Sequence, residues 1–177
     1  MVQRVSGYDR IASDNYATPP WVTRIILPYI PEGGEVWEPA AGSGKMVRVL
    51  RAAGLTVKST TLSEKTGRGD FLQARAPRCP YADAIITKPP YSLAQQFVEH
   101  ALTLAPFVAM LLPSEWDTAK GREHLFGMCG RFDRKIVITK RIRWIPGSTG
   151  SPSANHAFYI WHLASSGPAQ IEYWYPE

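Results

Sequence analysis

The sequence predicts an α/β protein: an open, doubly wound, mostly parallel sheet with helices on both faces and an antiparallel hairpin near the C-terminus. Three observations carry this expectation. Short apolar or β-branched runs alternate with segments of helical period, the order that builds a parallel sheet from crossover units. A glycine turn, Gly42-Ser43-Gly44, follows a strand-like run and opens a helix-like one. The last third then changes to two strand-like runs joined by a loop rich in Gly, Ser and Pro, Pro146 to Ser153.

The elements follow in chain order. Thr18 before Pro19 and Pro20 reads as an N-cap with proline in the first turn, opening a helix over Trp21 to Tyr29 that Pro31 ends. Val36 and Trp37 make a first strand, Lys45 to Ala53 the following helix, and Gly54 its cap. Thr56 to Thr61, Ala84 to Thr87 and Val108 to Leu112 read as further strands, with helices over Leu93 to Leu104 and Gly121 to Met128. Lys135 to Trp144 and Ala157 to Leu163 supply the terminal antiparallel pair. A chain of 177 residues with 45% hydrophobic content suits a single domain over 1–177, and no linker separates a second.

Composition narrows the function classes. The N-terminus lacks the apolar core of a secretory signal, and the longest apolar run, Phe107 to Leu112, is too short to span a bilayer. The expectation is a soluble, cytoplasmic protein. Cys79 and Cys129 stand far apart without clustered histidines, so neither a disulfide framework nor a metal site is expected. Net charge is +5, and Arg131, Arg134, Lys135, Lys140, Arg141 and Arg143 crowd into thirteen residues opposed only by Asp133. Such a cluster suits a phosphate backbone, and equally a solvated strand pair. Phe132, Trp144, Phe158, Tyr159 and Trp161 lie nearby, where bases could stack, although most are expected in the core.

Two constellations carry chemistry. The first is Glu38-Pro39-Ala40-Ala41-Gly42-Ser43-Gly44, where glycines allow close backbone approach to a ligand at a helix N-terminus. It is not a Walker loop, because Pro39 and Met46 occupy positions that need Gly and Ser or Thr. Nor is it a dinucleotide fingerprint, since Val47 replaces the third glycine. The second is Thr87-Lys88-Pro89-Pro90-Tyr91, a strand end whose prolines lack N–H donors and leave carbonyls free to face a cleft. Tyr91 adds a flat face there; a rigid turn with a packed tyrosine is the alternative.

In this order the two constellations resemble the S-adenosylmethionine-dependent amino methyltransferase family, whose motifs are a Glu-Pro-Ala-x-Gly-x-Gly type turn and an Asn-Pro-Pro-Tyr type turn. The resemblance runs from about Asp14 to Leu163 and is nearest to phage-type DNA adenine methyltransferases. It implies a seven-stranded Rossmann-like methyltransferase fold and S-adenosylmethionine as cofactor. Asn15 to Pro20 is similar to the family's leading motif, which places Tyr16 and Thr18 at the methionine end of the cofactor. Glu38, Ala40, Gly42 and Gly44 match the cofactor turn. Gly69-Asp70-Phe71-Leu72 resembles the segment in which an aspartate binds the cofactor's adenine amine and an aromatic lies along its ring. By the same resemblance Lys88, Pro89, Pro90 and Tyr91 form the catalytic turn, acting on a base flipped out of the helix. Lys140, Arg141, Arg143 and Trp144 would meet nucleic acid, with Trp144 either a second wall of the base pocket or core.

The chain departs from that pattern at three places. Lys88 stands where the family has Asn or Asp, and an ammonium has three donors and no acceptor for the amine's hydrogens. A lysine made neutral by burial and like charge could accept or act as base; a site that binds without reacting, or reads another substrate, is the alternative. Thr61 falls where an acidic residue usually holds the cofactor ribose, the nearest carboxylate being Glu64. Only 86 residues follow Tyr91, leaving no room for a separate target-recognition domain. The expected function is methyl transfer to the exocyclic amine of adenine in DNA. The alternatives are a non-catalytic nucleic-acid-binding protein of the same fold, and an enzyme acting on RNA, cytosine or a protein glutamine amide.

Overall fold

The computed structural model describes residues 16–61, 70–75, 82–145, 147 and 154–176. Asn15, Glu64, Gly69, Cys79 and most of the loop from Pro146 to Ser153 lie outside them. Seven strands form one sheet: β1 (Glu35–Glu38), β2 (Thr56–Ser59), β3 (Ala84–Thr87), β4 (Phe107–Pro113), β5 (Phe132–Ile138), β6 (His156–His162) and β7 (Gln170–Trp174). Their order is β2-β1-β3-β4-β6-β5-β7. β6 alone runs against the others: it pairs antiparallel with β4 and β5, while β1 to β4 pair parallel and β7 pairs parallel with β5.

Strand periodicity divides the core into two layers. On β4, Phe107, Ala109 and Leu111 face one layer, and Val108, Met110 and Leu112 face the other. Helices α1 (Pro20–Ile26) and α2 (Lys45–Ala52) cover the first face through Val22, Ile25, Ile26, Met46, Val47 and Leu50. Helix α3 (Ala94–Leu104) covers the second, burying Phe97, Val98, Ala101 and Leu104 at helical spacing. The doubly wound architecture expected from the sequence is therefore present.

Local details differ from the sequence reading. The residue capping α1 is Pro19, without a side-chain cap, because Thr18 is itself buried. The segment after β4 is a tight 3-10 turn over Lys120–Leu125 rather than an α-helix to Met128, as Gly121 and Gly127 disfavour regular α-helix. β5 begins earlier and ends at Ile138, so Lys140 to Trp144 lie beyond the strand, where Ile142 is drawn into the core at 1% exposure. The sheet also gains β7, a strand with no counterpart among the sequence-derived elements. Its Glu172 accepts from Arg134 and from the Tyr29 hydroxyl, both at 2.5 Å, and its Trp174 stacks on Trp21 of α1 at 5.4 Å.

Candidate active site

The parallel strands β1 to β4, together with β5, end at one edge of the sheet, the edge where open α/β sheets bind ligands. At the end of β1 the Glu38 carboxylate is 2% exposed. It accepts hydrogen bonds from the Ala40 N–H at 2.9 Å and from the Thr87 hydroxyl, tying the glycine turn to the end of β3. Burial pushes its pKa up to about 7, opposed by these two hydrogen bonds and by the charge of Lys88. The turn then passes through left-handed backbone at Gly42 (φ 48°) and Gly44 (φ 73°), conformations that glycine adopts without a Cβ penalty. Thr60 braces it: the Ala41 N–H donates to its carbonyl and its N–H donates to the Glu38 carbonyl, both at 3.0 Å. The Thr60 hydroxyl also accepts from the Trp37 indole at 3.0 Å. Thr61, one residue further, is exposed at the rim.

At the end of β3, Pro89 is buried, and Lys88, Pro90 and Tyr91 are half-buried. The Lys88 ammonium lies 5.3 Å from the centroid of the Tyr91 ring and 5.6 Å from that of Trp144, within cation–π range of both. Trp144 in turn stands edge-on to His156 at 5.1 Å and 6.4 Å from Tyr16. Tyr91 and His156 are 6.0 Å apart. Five side chains from four separate segments thus meet at one place: Tyr16, Lys88, Tyr91, Trp144 and His156. The first four belong to the sequence-derived set.

His156 does not, because a lone histidine opening a strand carries no sequence signal. It pairs with Pro113 of β4 and Ile138 of β5, which seats its ring between the strand ends. Burial, then the charge of Lys88, lowers its pKa to about 4 against a raising contribution from the Ala154 backbone, so the ring is neutral at neutral pH. Its Nδ1 is buried with no hydrogen-bond partner among the described residues.

The other expected residues are distributed around this cluster. Asp70 caps a short turn by accepting from the Leu72 N–H at 3.0 Å. Phe71 is 2% exposed and packs on Trp37, Phe97 and His100 at 4.8 to 5.1 Å, supporting Asp70 from the core. Thr18 is buried at 5% exposure. Of the basic cluster, Arg131 donates to the carbonyls of Leu102, Ala105 and Pro106, Arg134 pairs with Asp133 and Glu172, and Lys135 pairs with Asp117 at 2.7 Å. These three charges serve the fold. Lys140, Arg141 and Arg143 are exposed beyond β5, with Arg141 also donating to Asn155 at 3.0 Å. Phe158, Tyr159 and Trp161 are fully buried and Phe132, at the start of β5, packs on Phe126 and Trp161, leaving Trp144 as the aromatic of that group at the strand-end edge.

No protein-family model matches the chain, and no curated protein matches it. Solved structures do. A candidate RNA methyltransferase from Pyrococcus horikoshii superposes with a TM-score of 0.69 at 13% identity, over 92% of this chain and 94% of that one. This is a methyltransferase fold. A candidate class I S-adenosylmethionine-dependent methyltransferase from Listeria monocytogenes matches with a TM-score of 0.61 at 12% identity, over 90% of this chain and 65% of that one. A dimethyladenosine transferase from Plasmodium falciparum matches with a TM-score of 0.51 at 10% identity, over 83% and 61% respectively. On this methyltransferase fold the cluster around Lys88 lies at the strand-end edge beside the glycine turn. Among the described residues no helix is long and apolar enough to cross a membrane, and no group of three metal-ligating side chains occurs.

Proposed function

We propose that the chain transfers a methyl group from S-adenosylmethionine to the exocyclic amine of adenine in DNA. The observation that carries this reading is the meeting of Tyr16, Lys88, Tyr91, Trp144 and His156 beside the Glu38 turn. The similarity in fold to proteins described as methyltransferases of RNA and of adenosine supports it.

The residues present fit the cofactor. Gly42 and Gly44 present bare backbone in left-handed conformation at the start of α2, where it can approach a ligand closely. Tyr16, Thr18, Glu38, Ala40, Gly42 and Gly44 would hold its methionine part, Thr61 its ribose, and Asp70 its adenine, with Phe71 acting from the core beneath Asp70 rather than lying along the ring. When bound, the cofactor supplies an electrophilic methyl on a sulfonium. The chain's own groups orient the acceptor: Tyr91 and Trp144 flank a flipped base, and the Pro89 carbonyl accepts a hydrogen bond from its amine. The charge of Lys88 cannot act as that acceptor while protonated.

Lys88 is also what favours a second reading, binding without reaction, since its ammonium lies on the two rings that a base would use. Calorimetry with S-adenosylmethionine, followed by mass analysis of nucleosides from treated DNA and RNA, separates the readings. Methylated adenine from DNA is expected, with Lys88→Asn raising the yield on the order of a hundredfold, the worth of one well-placed polar group. Folded protein that shows no heat with the cofactor would overturn the proposal. Cofactor binding with unmethylated nucleosides from both proteins would leave the binding-only reading standing.

A further inference from the structure

We infer that the groove between α1 and α2 binds the phosphodiester backbone of the nucleic-acid strand flanking the target base, an inference that rests on the nucleic-acid reading above. The groove encloses about 550 Å³ and is lined by Pro20, Leu27, Val49, Ala52 and Ala53, with Arg24, Lys45 and Arg48 as its charged members. Among the described residues no carboxylate lines it. Three cations over a shallow apolar floor match a polyanion whose charges are spaced along an extended chain.

The groove also connects with the candidate site on both sides. Lys45 follows Gly44 directly, and the Arg48 guanidinium donates to the Ser43 carbonyl at 3.1 Å, so the α2 side begins at the glycine turn. On the α1 side, the Lys140 ammonium lies 5.5 Å from the Trp21 ring, and Arg24 stands one helical turn beyond Trp21 on the same face. Lys140, Trp21, Arg24 and then Lys45 and Arg48 therefore form one track, which leads from the basic segment after β5 across α1 into the groove. A strand whose base enters the pocket beside Trp144 would leave its flanking phosphates along this line. The apolar floor accommodates sugar edges and the cations take the phosphates. Sequence gave no warning of it, because the three cations are scattered over two helices rather than clustered in the chain.

The test is fluorescence anisotropy of a labelled single-stranded oligonucleotide over a salt series, using the Arg24→Gln/Lys45→Gln variant. This pair leaves the Arg48 bond to the turn intact. Loss of two phosphate contacts should flatten the slope of log affinity against log salt by about 1.4 and weaken binding several-fold at low salt. The charge-conserving Arg24→Lys/Lys45→Arg variant should bind as the wild type does, and the single Arg48→Gln variant, checked for an unchanged thermal midpoint, should flatten the slope by about 0.7. An unchanged slope in both neutralised variants, with Arg141→Ala/Arg143→Ala still flattening it, would overturn the groove while sparing the nucleic-acid reading. A wild type that shows no salt-dependent binding would overturn both. Loss of binding to phosphatidylserine vesicles, with oligonucleotide binding unchanged, would assign the groove to a membrane surface and overturn the inference.

Discussion

Glu38 and His156 are both buried and both feel the Lys88 charge, yet their proton binding changes on folding in opposite senses. Glu38 is raised from 4.5 to about 7, so between those values the folded protein holds a proton that the unfolded chain has released, and stability falls as pH rises. His156 is lowered from 6.5 to about 4, so in that window the unfolded chain holds the extra proton, and stability rises with pH. Each effect is worth on the order of 3 kcal/mol at full extent. Between about 4.5 and 6.5 they oppose one another, and their sum is nearly flat. Removing either partner should expose the other. Glu38→Gln should become more stable relative to wild type as pH rises above about 4.5, and His156→Asn should gain on wild type as pH falls below about 6.5. Urea midpoints measured across this range would show it, and curves that run parallel in all three proteins would refute the assignment. Lys88→Asn should move both groups upward, since the charge that lowers each is gone.

At the scale of elements, Arg131 shows how a charge that reads as a ligand contact can belong to the fold. Its guanidinium donates to Leu102, Ala105 and Pro106 at 2.6, 2.8 and 2.9 Å where α3 ends and β4 begins, sharing the Pro106 carbonyl with the Leu163 N–H. Arg131→Ala should therefore cost about 2–3 kcal/mol in unfolding free energy, with little change in nucleic-acid affinity beyond one charge. A thermal midpoint unchanged from wild type would contradict this. The sequence could not separate Arg131 from Arg141, because the partners of Arg131 lie in α3 and the turn after it, more than twenty residues earlier in the chain. Central elements were legible for the opposite reason. β3 and β4 are continuous apolar runs and α3 has a clean helical stripe, so local composition suffices to define them. β7 was not, since its Ile171 and Tyr173 remain exposed at the sheet edge, and what orders it is long-range: pairing with β5, the Tyr29 bond to Glu172 and the stacking of Trp21 on Trp174.

Over the whole molecule, the motifs announced Glu38, Gly42, Gly44, Lys88 and Tyr91, because each motif is contiguous at a strand end. His156 and the α1–α2 groove became visible only when folding brought distant segments together. The same folding sorts the positive charge: of the six basic residues crowded between 131 and 143, three are consumed by internal partners and three are exposed beyond β5. Within this segment, binding of a polyanion should follow the second group, in addition to the cations of the α1–α2 groove. Arg141 and Arg143 flank the buried Ile142, which fixes the backbone between them while both arginines stay at the surface. Neutralising both in Arg141→Ala/Arg143→Ala should leave the thermal midpoint close to that of wild type, as substitutions at such exposed positions usually do. It should weaken nucleic-acid binding by a similar factor for every sequence, because phosphates carry no sequence information. The slope of log affinity against log salt should flatten by about 1.4 on a single strand and about 1.8 on a duplex, the amounts expected for two lost phosphate contacts. An unchanged slope would mean that these arginines only solvate the surface. A loss confined to one sequence would mean that they read bases, and either result would move the phosphate contacts away from the segment after β5.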